Sequence, residues 1–308
     1  MSSEGSIDIR TCKSYRISDV APYINWFYFF HAWGMPASLS AVTRVHNCEG
    51  CTAAWISSLP LEMQDKGRET LRLYHDAQKM LSTLDAEQHS TYALAHICPA
   101  NSDGDDIIVW HGQERTQLPM LRQQNPSDDG CCYCLSDFIR PLGDGNDTIG
   151  IFATSASASI IDDCQQDDPY GTMLRQTLAD RLAEATADKF HEEVRRHIWG
   201  YAPDESLSID QLHAEHYQGI RPATGYPSMP DVSINSLIDR ILHLKDIGVT
   251  LTESGMMRPH ASVCGLMISH PQSRYFSVGL IDERQLRDYA ERRGMSADTI
   301  RRHLANSI

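Results

Sequence analysis

The sequence predicts an α+β fold built on an antiparallel sheet. Three observations carry this expectation. Strand-like runs come as hairpin-like neighbours joined by short connections, as in "TYALAHICPANSDGDDIIVW" (91–110). They do not alternate strictly with helices, as a parallel βαβ sheet requires. The phosphate-binding signatures of parallel folds are also missing: "GDGNDTIG" (143–150) has glycines at the wrong spacing with no helix after it, and there is no Walker A loop.

Residues 1–20 read as a poorly structured start and the first 50 as irregular, with an aromatic cluster in "PYINWFYFFHAWGMP" (22–36). Residues 60–84 read as an amphipathic helix opened by Pro60. Two strands around a polar Asn/Ser/Asp/Gly turn follow, then a strand over 147–157. Residues 168–199 form a long helical stretch. Leu174, Leu178, Leu182 and Ala185 share one face, continued by Phe190, Val194 and Ile198, and Gly200 is a stop. A short helix, "IDQLHAEHY", precedes a stiff turn, and a further helix spans roughly 230–246. Strands over 261–269 and 274–281 are joined by "HPQS"; the chain is helical from about 282, interrupted at Gly294.

The 308 residues allow one large domain or two small ones, and no repeat or Pro/Gly/Ser linker separates two halves. A net charge of −14 and a pI of about 5.4 argue against a nucleic-acid partner, because a phosphate backbone wants a basic face. No apolar run approaches the ~20 residues that span a bilayer. The start lacks the basic and apolar regions of a signal peptide. No membrane partner and a cytoplasmic location are expected, with reduced cysteines.

The turn "YQGIRPATGYPSMPD" (217–231) holds three prolines, two glycines and one arginine. Pro222 pushes Arg221 into an extended conformation, Gly225 supplies positive φ, and Pro227 fixes the exit. Backbone groups in such a turn are available to a ligand, and Arg221 can clamp a carboxylate through two parallel bonds. A structural turn with a surface salt bridge is the plainer reading. In "FHEEVRRHIWGY" (190–201), Arg195 stands where a zinc-protease helix needs its second histidine. Glu192, Glu193, Arg195 and Arg196 are by default a solvated face, and Trp199 and Tyr201 packing residues. "NCEGC" (47–51) and "GCCYC" (130–134) offer Cys48, Cys51, Cys131, Cys132 and Cys134 as a weak metal or iron–sulfur candidate; reduced thiols are the plainer reading, and no metal site is assigned. No nucleophile elbow is present, and no residue is assigned as catalytic.

Taken together, "KFHEEVRRHIWGYAPDESLSIDQLHAEHYQGIRPATGYPSMPD", "GVTLTESGMMRPHASVCGLMISHPQSRYFSVGLI" and "DYAERRGMS" closely resemble the C-terminal activation domain of cobalamin-dependent methionine synthase. The family hallmark R-x-x-x-G-Y-P is met by Arg221, Gly225, Tyr226 and Pro227. The resemblance is strongest over 168–304 and traceable from Tyr23 onward. It implies a single C-shaped α+β domain over 1–308 with a bent antiparallel sheet flanked by helices. It implies S-adenosylmethionine (AdoMet) in a shallow groove, its methyl presented to cob(II)alamin on a neighbouring module, with a flavodoxin-type reductant.

By position, the resemblance makes Arg221 the partner of the AdoMet carboxylate and Glu192 and Glu215 acidic groove residues. Pro222 and Ala223 would supply backbone contacts, and Tyr226, Tyr275 and Phe276 would line the groove. Asn25 stands where the family has an aspartate for the ligand amino group; it keeps a carbonyl acceptor without the charge. The upstream modules do not fit in this chain and the D-x-H-x-x-G signature is missing, so cobalamin is expected only through a partner. Either a free-standing protein acting in trans or an excised domain fits. An AdoMet-binding sensor without redox partnership, or a Cys-ligated metal protein, are the alternatives.

Overall fold

The computed structural model of the chain describes residues 7–162 and 168–304. Six strands form one antiparallel sheet: β1 (Ile9–Arg16), β2 (Ser90–Asp103), β3 (Asp106–His111), β4 (Glu114–Pro119), β5 (Asp147–Ala156) and β8 (Ser262–Met267). The short strands β6 (Thr250–Leu251) and β7 (Met257–Arg258) pair separately as a ribbon. The fourteen-residue β2 organises the sheet. One edge pairs with β1 over its first half and with β3 over its last four residues. The other edge carries β5, and β8 lies beyond β5 with Met267 opposite Gly150.

Both faces of this sheet are covered, which is why its central strands read as apolar runs rather than alternations. Leu94, Ile149, Ile151, Cys264 and Leu266 pack towards one cluster, with helix Asn235–Leu242 and helix Glu283–Arg293. Ala93, Ala95, Ile97, Phe152 and Met267 pack towards the other, with the long helix Pro169–Glu193 and helix Gln64–Ala86. The α+β class with a helix-flanked antiparallel sheet is thus as expected.

The long helix starts on Asp168, whose carboxylate accepts the Gly171 N–H at 2.9 Å, with Pro169 in the first turn. Leu174, Leu178, Leu182, Ala185 and Phe190 are buried as their spacing requires. The Thr154 hydroxyl of β5 donates to the Ala183 carbonyl at 2.9 Å and ties helix to sheet. At its end the helix widens into a π-turn over Val194–Ile198, with Trp199 N–H donating to Val194 C=O at 2.8 Å.

Four expectations are corrected. Residues 9–16 of the supposedly unstructured start are β1, and helix Trp26–Ala32 follows within the supposedly irregular first 50. β4 was not anticipated. The helix over 230–246 breaks where His243 adopts φ +58 after Leu242. Residues 274–281 are not a strand. They lie along the stiff turn instead: Val278 N–H donates to Pro227 C=O at 2.9 Å, and the Ser228 hydroxyl donates to Phe276 C=O.

Candidate functional site

The stiff turn is laid against the free edge of β8. Ile220 exchanges both backbone bonds with Ile268, Leu266 N–H donates to Pro222 C=O at 2.9 Å, and Thr224 N–H donates to Cys264 C=O at 2.9 Å. Contact is so close that a Cβ on Gly265 would stand 2.1 Å from the Pro222 carbonyl oxygen. Residues 220, 222 and 224 therefore spend backbone groups on the sheet edge, while the side chains of the alternate residues 221 and 223 lie with Phe152 on the face that the long helix covers. Gly225, at φ +84, reverses the chain and donates its N–H to Met229 C=O at 2.8 Å.

Between the turn and that helix lies a groove of about 720 Å³. The turn supplies one wall through Arg221, Pro222, Ala223 and Tyr226, and the following segment adds Tyr275 and Phe276. The long helix supplies the opposite wall through Arg181, Glu184, Ala185 and Asp188, a set at i, i+3, i+4 and i+7 on one face. Asn25, Tyr28, Leu212, His213, Glu215 and Tyr217 line the groove as well.

Arg221 sits at its centre. Its side chain is 10% exposed, and its Nη2 donates to Asp188 Oδ1 at 2.6 Å. The guanidinium lies over the Phe152 ring of β5 at 5.4 Å. Its Nε is buried and finds no partner among the described residues. Burial opposes its charge, but Asp188 and the Tyr217 and Tyr275 hydroxyls hold its pKa above the usual value. Burial pushes the Asp188 carboxyl up; Arg221 pulls it back and neighbouring Glu184 adds to the rise. The Glu215 carboxyl is raised as well, first by burial, with Arg221 opposing and Asp188 adding. Glu215 also holds a left-handed backbone at φ +58.

A chain of polar contacts sets the arginine. Arg221 N–H donates to the Tyr275 hydroxyl at 2.8 Å, and the Tyr275 and Tyr217 hydroxyls lie 3.2 Å apart. The Tyr217 ring is stacked under Arg195 at 4.3 Å and edge-on to His191 at 5.0 Å. Arg195 is fully buried, with Nε and Nη2 both donating to Glu205. The expected solvated face is therefore corrected at this position: the π-turn swings Arg195 inward, where it braces the groove. His191 is buried and held neutral, its pKa driven down by burial and then by Arg195 and Arg221.

Eight of the ten residues singled out from sequence line this one groove: Asn25, Glu215, Arg221, Pro222, Ala223, Tyr226, Tyr275 and Phe276. Gly225 shapes the turn without lining it. Glu192 is placed elsewhere, accepting from the Tyr23 hydroxyl at 2.7 Å and from Arg196 at 3.0 Å. Glu184, two turns earlier, takes the position expected of it and accepts the Tyr226 hydroxyl. Two finer points differ as well. The Pro222 carbonyl is committed to β8, and the Asn25 side-chain oxygen accepts Phe27 N–H at 3.2 Å, capping helix Trp26–Ala32. Asp188 and Glu184 were missed; they flank the apolar stripe of the helix at i, i+4 spacing, beside Ala185.

The two cysteine motifs do not converge. His46, Cys48 and Cys51 come together, but among the described residues none of Cys131, Cys132 and Cys134 belongs to a group of three or more ligand side chains.

Comparison with known proteins places the whole chain. The family model described as vitamin B12 dependent methionine synthase, activation domain, matches residues 16–294. The chain is similar to a solved structure described as the MetH reactivation domain bound to AdoHcy. Their sequence identity is 37%, the TM-score is 0.83, and the match covers 97% of this chain and 90% of that one. The chain therefore belongs to the family of vitamin B12-dependent methionine synthase activation domains.

Proposed function

We propose that the groove binds AdoMet and presents its methyl group to cobalamin held on a methionine synthase cobalamin module, acting in trans and served by a flavodoxin-type reductant. The observation that carries the reading is the pairing of one buried, incompletely bonded guanidinium with three carboxylates and exposed tyrosine rings in one groove. AdoMet brings a carboxylate, an ammonium and a sulfonium, and its sulfonium makes the methyl electrophilic. The Arg221 guanidinium, whose Nε has no partner among the described residues, would give the carboxylate a charge-assisted bond. Glu184, Asp188 and Glu215 offer acceptors for the ammonium and ribose hydroxyls. Tyr226 and Tyr275, 50% and 36% exposed, line the groove with aromatic rings suited to a cationic ligand end. Binding of AdoHcy by the similar reactivation domain supports the same class of ligand.

The protein's part is positioning rather than acid–base chemistry. His191, the histidine buried behind the groove, is held neutral, and the Asp188 and Glu184 carboxylates are engaged with Arg221 and the Tyr226 hydroxyl.

Calorimetric titration of AdoMet into the full chain tests the first half. A separately produced cobalamin-loaded module of methionine synthase, mixed with the chain, reductant and methyl-labelled AdoMet, tests the second. Label appearing on cobalamin only when the chain is present is the expected result. AdoMet binding without label transfer or complex formation would favour the sensor reading, for which the uncharged Asn25 is the motive.

A further inference from the structure

A second cluster of side chains lies on the helix Glu49–Ser58, built from different residues than the groove. Cys48 is the N-cap of that helix, and its Sγ accepts the Cys51 N–H at 3.3 Å. One turn separates the two cysteines, so their side chains return to the same side. His46 approaches from the preceding chain. One ligand atom from each residue, an imidazole nitrogen and two sulfurs, lies within 4.8 Å of the other two, and all three residues are exposed.

A tetrahedral zinc-class ion binds sulfur at about 2.3 Å and imidazole nitrogen at about 2.0 Å, which spaces its ligands roughly 3.5–3.8 Å apart. The observed cluster is already close to that spacing and needs only rotation of exposed side chains to reach it. Two thiolates and an imidazole select thiophilic ions over magnesium or calcium, which want oxygen. The helix N-terminus adds partial positive charge that favours the thiolate form of its capping sulfur. The other candidate ligands do not compete: Cys134 is buried, with its Sγ 3.9 Å from the Asp105 carbonyl oxygen. In the Asp8, His96 and Cys98 group, two of the three are buried in the sheet.

We propose that His46, Cys48 and Cys51 form a surface binding site for one thiophilic metal ion of the zinc class, with the fourth coordination position open to water. Binding releases the thiol protons still present and makes two metal–sulfur bonds and one metal–nitrogen bond, with no change of oxidation state.

The test uses the full chain, reduced and stripped with a chelator, and titrated anaerobically with Co2+ as the probe. Expected is a near-ultraviolet thiolate-to-cobalt band that saturates at one ion per chain and is displaced by Zn2+. Cys48→Ser, Cys51→Ser and His46→Ala should each weaken binding at least tenfold, with far-ultraviolet circular dichroism unchanged because all three side chains are exposed. Cys131→Ser with Cys132→Ser should leave the titration as in the unmodified chain. The proposal is overturned by absence of the band, or by a band that survives Cys48→Ser and Cys51→Ser together. Recovery of the reduced chain only as a Cys48–Cys51 disulfide that takes up no ion would equally overturn it and make the motif a redox dithiol.

Discussion

Replacing Arg221 by methionine separates what this residue does for the fold from what it does for a ligand. The 2.6 Å bond to Asp188 joins side chains that are 10% and 23% exposed, so the substitution strands a largely buried carboxylate. Breaking a buried pair from one side costs about 3–5 kcal/mol, and Asp188's residual access to the groove brings this to about 2–3 kcal/mol. Adding Asp188→Asn removes the stranded charge, and the double variant should recover most of that loss, because replacing both partners is close to neutral. Ligand binding should not recover. Loss of the charge-assisted bonds from Arg221 costs about 1.5–3 kcal/mol, or roughly a 10- to 150-fold rise in the AdoMet Kd. Urea unfolding and calorimetry on wild type, Arg221→Met and Arg221→Met/Asp188→Asn give both quantities. A double variant that is as stable as wild type and binds AdoMet with the wild-type Kd would refute the assignment of Arg221 to the ligand.

Three further substitutions probe the surrounding parts. Asn25→Asp adds a carboxylate to the groove's lining while keeping an equally good helix cap, so AdoMet affinity should rise up to about tenfold with unfolding stability unchanged. Glu184→Gln should weaken AdoMet binding several-fold in the same titration, whereas Glu192→Gln, whose carboxylate is engaged with Tyr23 and Arg196 outside the groove, should leave it as it is. Gly265→Ala drives a methyl to 2.1 Å from the Pro222 oxygen, so it should cost at least about 1–3 kcal/mol in urea unfolding and loosen AdoMet binding by displacing the turn.

Much of the architecture was legible because burial writes itself into spacing. The long helix and helix Gln64–Ala86 carry apolar residues at helical spacing, and the β2–β3 hairpin, β5 and β8 carry the continuous apolar runs of strands covered on both faces. β1 escaped because it is an edge strand on polar ground: of "IRTCKSYR" only Tyr15 is buried. Residues 274–281 were misread because Phe276, Val278 and Leu280 alternate like a strand. Two of them are buried against the turn's side of the molecule rather than paired in the sheet, and Leu280 is 67% exposed. At the site, the turn and its arginine could be read locally, but its counter-ion could not. Choosing Glu192 over Glu184 is an error of about 12 Å along a helix axis, since eight residues advance 1.5 Å each. Only docking of the helix on the sheet decides which turn faces Arg221.

The groove's charge balance leads to a sharper expectation about which ligand it prefers. Its lining carries Glu184, Asp188 and Glu215 against Arg181 and Arg221, so three carboxylates less two guanidiniums leave one net negative charge when all are ionised. AdoMet in the proposed mode sums to one positive charge, whereas the thioether AdoHcy sums to zero. At an effective dielectric of about 20 and a separation of about 8 Å, that extra charge is worth roughly 2 kcal/mol, and the open side of the groove reduces it to about 1 kcal/mol. AdoMet should therefore bind about fivefold tighter than AdoHcy at low salt, with the gap closing as salt rises. Acid should close it too. Asp188 and Glu215 both have raised pKa values, so they take up protons at a higher pH than free carboxyls do. As pH falls through those raised values the negative charge disappears, and the preference with it. Competition calorimetry at two salt concentrations and along a descending pH series reads this directly. An AdoMet-to-AdoHcy ratio that stays constant through both would mean the groove does not sense the sulfonium charge at all.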